Sequence, residues 1–150
     1  MPLCELRTAE LFLVATLRFF QEARHGAARH DWREGFLAAD VSDSTVKGFL
    51  ALFAILAAER EPDIAPSGCR MLSADEGRVL QLVAMLQRRH AADALVILQH
   101  WLAPAAARLA LKPARALAEG LADRGLIVPP RHRADVPPAF RGMAPPPTLH

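Results

Sequence analysis

Tyrosine is absent from this 150-residue chain, cysteine occurs twice, and aromatic residues of all kinds make up 6% of it. Runs of β-branched residues are scarce as well. Alanine and aliphatic residues meanwhile lift the hydrophobic fraction to 52%. That balance favours helices over strands, and the expected fold class is all-α. At this length one hydrophobic core, and so one domain, is expected.

Charge of one sign is also missing. Acids and bases nearly cancel to a formal +2, so the chain as a whole lacks the field of an electrostatically driven nucleic-acid binder, and only a local patch can serve that purpose. Cys4 and Cys69 lie far apart and make no CxxC pair. The N-terminus carries no charged start, apolar middle and small-residue cleavage site, so the cytoplasm is the expected location. The apolar segment from Leu11 to Phe20 is hemmed in by Glu10, Arg18, Gln21 and Glu22, well short of the ~20 residues that cross a bilayer. It reads as a core helix, and no membrane association is expected.

The motifs of common chemistries are missing too. No HExxH, HxH or CxxC spacing marks a metal site, no glycine-rich loop cradles a phosphate, and no nucleophile elbow occurs. The neighbouring carboxylates Asp75 and Glu76, or Glu59 and Glu61, are explained by capping or solvation. The expectation is therefore a protein without cofactor or metal that is not an enzyme. Neither a repeat of solenoid length nor a sustained heptad appears.

What is present is a series of helix signals. A first helix is expected from Thr8 to about His25, closed by Gly26. Its apolar residues Leu11, Val14, Ala15, Leu17, Phe19 and Phe20 cover more than one stripe, so it is either central or partly covered by a second chain. Asp31 and Glu34 introduce a short helix with Trp32 and Phe36. A third, from Ser42, carries Val46, Phe49, Leu50, Phe53 and Leu56 at helical spacing and ends before Pro62. Residues 61–72 read as a loop, and Ser73 with Glu76 forms a capping box for a helix over 74–89. Another follows over 92–102. Pro104 and Pro113 each suit a first turn, predicting two further helices, over 104–110 and from 113 to Arg124, the latter closed by Gly125. Seven helices, several of them short, form a compact bundle over residues 1–128. Residues 129–150, with Pro129, Pro130, Pro137, Pro138, Pro145, Pro146 and Pro147, are expected to be a flexible tail. Its triple proline favours polyproline II geometry but lacks a PxxP-plus-Arg arrangement.

The stretch Gly68-Cys69-Arg70-Met71-Leu72-Ser73-Ala74-Asp75-Glu76, followed by an apolar helix, resembles a motif of small bacterial helical proteins of no assigned function. The resemblance implies that this loop and helix start belong together, and it implies no activity. Within the motif, Cys69 reads either as a reactive thiol, activated by Arg70 and nearby backbone N–H groups, or as a structural plug of the loop; the plug is favoured.

Two functional readings remain. The leading one is a protein-interaction or regulatory module. Helix one, Leu52 and Ile55, and Val96 and Ile97 offer more apolar stripes than a small monomer readily covers, so a second copy or another protein is the expected partner. The alternative is DNA binding by a helix-turn-helix-like unit over 104–133. There Arg115 faces the major groove beside Arg108 and Lys112, and Arg131 and Arg133 on a wing contact phosphates. Against it, the recognition helix is mostly Ala and Leu, and Pro129-Pro130 interrupts the wing strand.

Overall fold

The computed structural model describes residues 1–131. Six α-helices make up the fold: α1 (Thr8–Arg24), α2 (Arg33–Ala39), α3 (Asp43–Glu59), α4 (Ala74–Gln87), α5 (Ala91–Gln99) and α6 (Pro104–Ala122), preceded by a 3₁₀ turn at Leu3–Glu5. No strand occurs among the described residues, and the chain is all-α. Residues 132–150, and Arg133 with them, lie outside the described residues.

The helix starts follow local hydrogen-bond chemistry. Ser42 Oγ accepts the Thr45 N–H at 3.4 Å. At α4 the exchange is reciprocal: Ser73 Oγ accepts from the Glu76 N–H at 3.1 Å, and the Glu76 carboxylate accepts from the Ser73 N–H at 3.2 Å. At the other ends, four helices close by the same device, an N–H reaching back five residues to a carbonyl: Ala27 to Glu22, Val41 to Phe36, His90 to Met85 and Leu126 to Leu121. Each needs a left-handed residue just before that donor. Gly26 and Gly125 supply it at φ +71° and +74°, while Asp40 and Arg89 adopt φ +55° and +61° without the freedom of glycine. For Arg89 that conformation costs about 1 kcal/mol.

The two helices expected on either side of Lys112-Pro113 are one. Helix α6 runs unbroken through Pro113, which reduces the expected seven helices to six and removes the turn of the helix-turn-helix reading. A proline inside a helix forfeits one backbone hydrogen bond and crowds the preceding turn. Here burial of Ala107, Ala110, Ala114, Leu117, Ala118 and Leu121 along one side of α6 outweighs that loss.

Helix α6 is the spine, packed most extensively on α3 and also on α4 and α5. Close approach to α3 depends on two glycines. A β-carbon at Gly48 would stand 2.7 Å from the Pro113 carbonyl oxygen, and one at Gly120 would stand 1.8 Å from Thr45 Oγ1. The other half of the core is aromatic. Phe20 of α1 meets Trp32, Phe49 and Phe53 edge-to-face, with ring centroids 4.8–5.1 Å apart, a geometry favoured by the ring quadrupoles. Phe36 of α2 joins Phe12 and Phe49 in the same way.

Candidate functional site

The 68–76 stretch is held by charge. Arg18 of α1 and Glu76 at the start of α4 are both almost fully buried and joined at 2.9 Å. The Arg18 guanidinium also donates to the carbonyls of Cys69 and Met71, at 2.5 and 2.8 Å. The Glu76 carboxylate accepts the Ala65 N–H at 3.2 Å as well as that of Ser73. Next to it, buried Asp75 accepts from Arg60 at 2.8 and 3.0 Å, from Arg78 at 2.7 Å and from the Asp63 N–H at 2.7 Å. Burial by itself would raise the Asp75 pKa, but the Arg60 and Arg78 guanidiniums and the Asp63 amide outweigh it and hold the carboxyl below its ordinary range. This cluster ties the 60–73 loop between α1 and α4, with each charge met by several donors or acceptors, as buried ions require.

Cys69 takes part in that latch through its backbone carbonyl. Its side chain is half-buried, and the thiol donates at 3.5 Å to the Met71 carbonyl. Cys4 is exposed, and both cysteines are free.

Arg131, expected on a DNA-contacting wing, is instead turned into the protein. Its guanidinium pairs with the carboxylate of Glu10 and reaches the sulfur of Met1, and both charged side chains are buried. Upstream, Val128 is fully buried, and its N–H and carbonyl are held by Gln87 and Arg88, each at 2.8 Å. The packed chain therefore continues past residue 128 to Arg131.

Two surface features remain. The first is on α1, which buries Leu13, Val14 and Leu17 but leaves Leu11 40% exposed and Ala15 and Phe19 half-exposed. With Leu3, these residues line an apolar groove of about 180 Å³, edged by Ser67. Phe19 also lies against the His30 ring at 4.9 Å. At the end of the groove the Ser67 N–H donates to Glu22 at 2.9 Å, which holds that carboxyl below the usual range and ionised at neutral pH.

The second feature is on α6. Arg108, Lys112 and Arg115 are exposed and, at i, i+4 and i+7, share one face. Among the described residues no carboxylate lies within ion-pair distance of them. Between this face and the α4–α5 turn lies a groove of about 290 Å³, lined by Leu86, Arg89, Ala91, Arg115 and Glu119.

Among the described residues no group of three His, Cys, Asp or Glu side chains is placed to hold a metal ion, and no helix is long and apolar enough to cross a membrane. Comparison with protein families, with curated proteins and with solved structures returns no match for this chain.

Of the residues singled out from sequence, the structure brings Arg108, Lys112 and Arg115 together on one face and sets Arg131 apart from them, about a different helix. From sequence, Arg89 reads within Arg88-Arg89-His90 only as a positive charge suited to a helix C-terminus; its left-handed backbone is one that no residue-type rule assigns to arginine. Arg18, Glu10 and Glu76 were missed as ionic partners because the pairing residues are far apart in the chain.

Proposed function

We propose that the chain is a protein-interaction module that pairs with a second copy of itself along the exposed strip of α1. The observation that carries this is the order of residues on that strip. Thr8, Leu11, Ala15, Phe19 and Glu22 lie on one side of the helix, and the series is complementary to its own reverse. When two such helices pack antiparallel about Ala15, the small Ala15 side chains meet at the centre and allow close approach. Leu11 of each copy then packs on Phe19 of the other. Thr8, with Arg7 beside it, meets the ionised Glu22. A two-fold contact of this kind repeats every favourable pairing twice. Burial of Leu11 and Phe19 supplies the apolar centre, and Thr8 and Glu22 the polar rim.

No catalytic step belongs to this reading, and the likeness of residues 68–76 to small bacterial helical proteins adds no activity to it. The free thiols of Cys4 and Cys69 suit a reducing compartment such as the cytoplasm. The test is solution mass by light scattering across a wide concentration range, on the parent and on Leu11→Glu. The parent is expected to be a dimer that dissociates on dilution, and Leu11→Glu a folded monomer. A parent that stays monomeric at every concentration rejects the proposal.

A second reading, nucleic-acid binding, keeps one supporting observation: the exposed row of Arg108, Lys112 and Arg115, which has no ion-pair partner among the described residues. It no longer has a helix-turn-helix, since α6 is continuous, and Arg131 is engaged with Glu10. In this reading the row follows a phosphate backbone without base readout, and binding to mixed duplex weakens steeply with salt and in Arg115→Ala.

A further inference from the structure

We infer that the groove between the α4–α5 turn and α6 is a binding site for a small phosphomonoester that carries a hydroxyl or amino donor. The inference is independent of the α1 pairing proposed above. Two arginines from different elements line one cavity: Arg89 from the turn after α4 and Arg115 from α6. Both are exposed, and among the described residues neither has a carboxylate within ion-pair distance, so their donors are available to a ligand. Two arginines lining one space suit a phosphate, whose oxygens accept paired N–H bonds from a guanidinium.

Arg89 is the more telling of the two. Its position at the end of α4 requires φ +61°, which glycine adopts without strain and which Gly26 and Gly125 supply at the equivalent positions of α1 and α6. An arginine there sacrifices stability and delivers a cation to the mouth of the groove. Strain of this kind collects where a side chain has work to do. The rest of the lining narrows the ligand class. Leu86 and Ala91 add a smaller apolar part to a mostly polar lining, and a bare inorganic ion leaves much of the roughly 290 Å³ unfilled. Glu119, one turn after Arg115 on α6, adds one acceptor to the lining, which suits a ligand that presents a hydroxyl or amino group along with its phosphate. Sugar phosphates and nucleoside monophosphates share this chemistry.

Titration of the full chain at fixed ionic strength, followed by amide NMR, tests it with three probes: inorganic phosphate, ribose 5-phosphate and a short single-stranded oligonucleotide. Ribose 5-phosphate is expected to shift the amides of residues 89–93 and 115–119 and to bind more tightly than phosphate. Arg89→Gly is the decisive variant. It relieves the left-handed strain, so the fold becomes more stable while affinity falls at least about tenfold, the loss expected for one charged hydrogen-bonding partner. Arg115→Gln loses affinity similarly, and Glu119→Gln weakens ribose 5-phosphate more than inorganic phosphate. No shift by about 10 mM ligand, or unchanged affinity in Arg89→Gly, overturns the site. Binding of the oligonucleotide alone, with steep salt dependence, also overturns it and transfers the basic face to the nucleic-acid reading.

Discussion

Replacing Arg18 with methionine tests the latch that organises the 60–73 loop. The substitution keeps most of the aliphatic volume and deletes the charge. It leaves Glu76, which is fully buried, with only the Ala65 and Ser73 amides as donors, each at 3.2 Å. It also orphans the carbonyl of Cys69 and leaves that of Met71 with only the Cys69 thiol, at 3.5 Å. Removing one partner of a buried ion pair costs about 3–5 kcal/mol, a large share of the ~5–15 kcal/mol that holds a domain folded. With a urea slope of about 2 kcal/mol per molar, the midpoint falls by roughly 2 M. Glu76→Gln strands the cation instead, and the double variant recovers part of the loss, so the cycle yields a coupling of about 2 kcal/mol. Hydrogen exchange adds a local readout. The amides of Leu3 and Leu72, bonded to Arg70 and Met1 across the loop at 2.8 and 2.9 Å, exchange faster in Arg18→Met, ahead of those in α6. A loss below about 1 kcal/mol, or purely additive single-variant effects, refutes the assignment of the latch to this pair.

Gly120→Ala gains up to about 1 kcal/mol of helix propensity but places a β-carbon 1.8 Å from Thr45 Oγ1. Because α3 and α6 must move apart, the net result is a loss of about 2 kcal/mol by denaturant melt, and a stability equal to the parent's contradicts the close approach. Pro113→Ala restores an N–H inside α6 and is expected to stabilise by about 1–2 kcal/mol; destabilisation means that the proline sets a bend the packing needs. In acid, Asp75 has a folded pKa held below its ordinary 3.8, so the unfolded chain takes up its proton first. Its contribution is complete above the unfolded pKa and is lost as pH falls through the folded one. Asp75→Asn is expected to flatten the stability–pH profile on its acid side, below the unfolded pKa, and an unchanged profile rules this carboxylate out as a source of acid sensitivity.

Much of the fold was legible because helix ends are written in a few adjacent residues. Ser42, and Ser73 with Glu76, start α3 and α4 where the spacing placed them, and Gly26 and Gly125 close α1 and α6. The same local signals miscounted at Pro113. A proline that suits a first turn is equally present when burial on both sides of it carries the helix through, and that burial depends on where α3 lies. The ionic latch was not legible for the same reason. Glu76 announces itself as a capping residue, and it is one, but both of its oxygens are also held by an arginine 58 residues earlier. The spacing of Asp75 and Glu76 gives no hint that both are withdrawn from water.

Arg131 makes the point most sharply, because composition argued against it. It follows Pro129 and Pro130 in a stretch whose proline content marks it as unlikely to pack. Yet its guanidinium is buried against Glu10, and that acid needs a counter-charge, since Glu10 is only 2% exposed and otherwise accepts a single N–H, from Arg7 at 2.7 Å. An ion so placed is costly unless paired, so the packing of Arg131 is set by the electrostatic demand of α1 and not by apolar periodicity. The same reasoning sets two groups of basic residues apart. Arg18, Arg60, Arg78 and Arg131 are committed to buried carboxylates and belong to the fold. Arg89, Arg108, Lys112 and Arg115 have no such commitment among the described residues, and a positively charged surface left unpaired beside a groove is where a binding partner of this protein is to be sought.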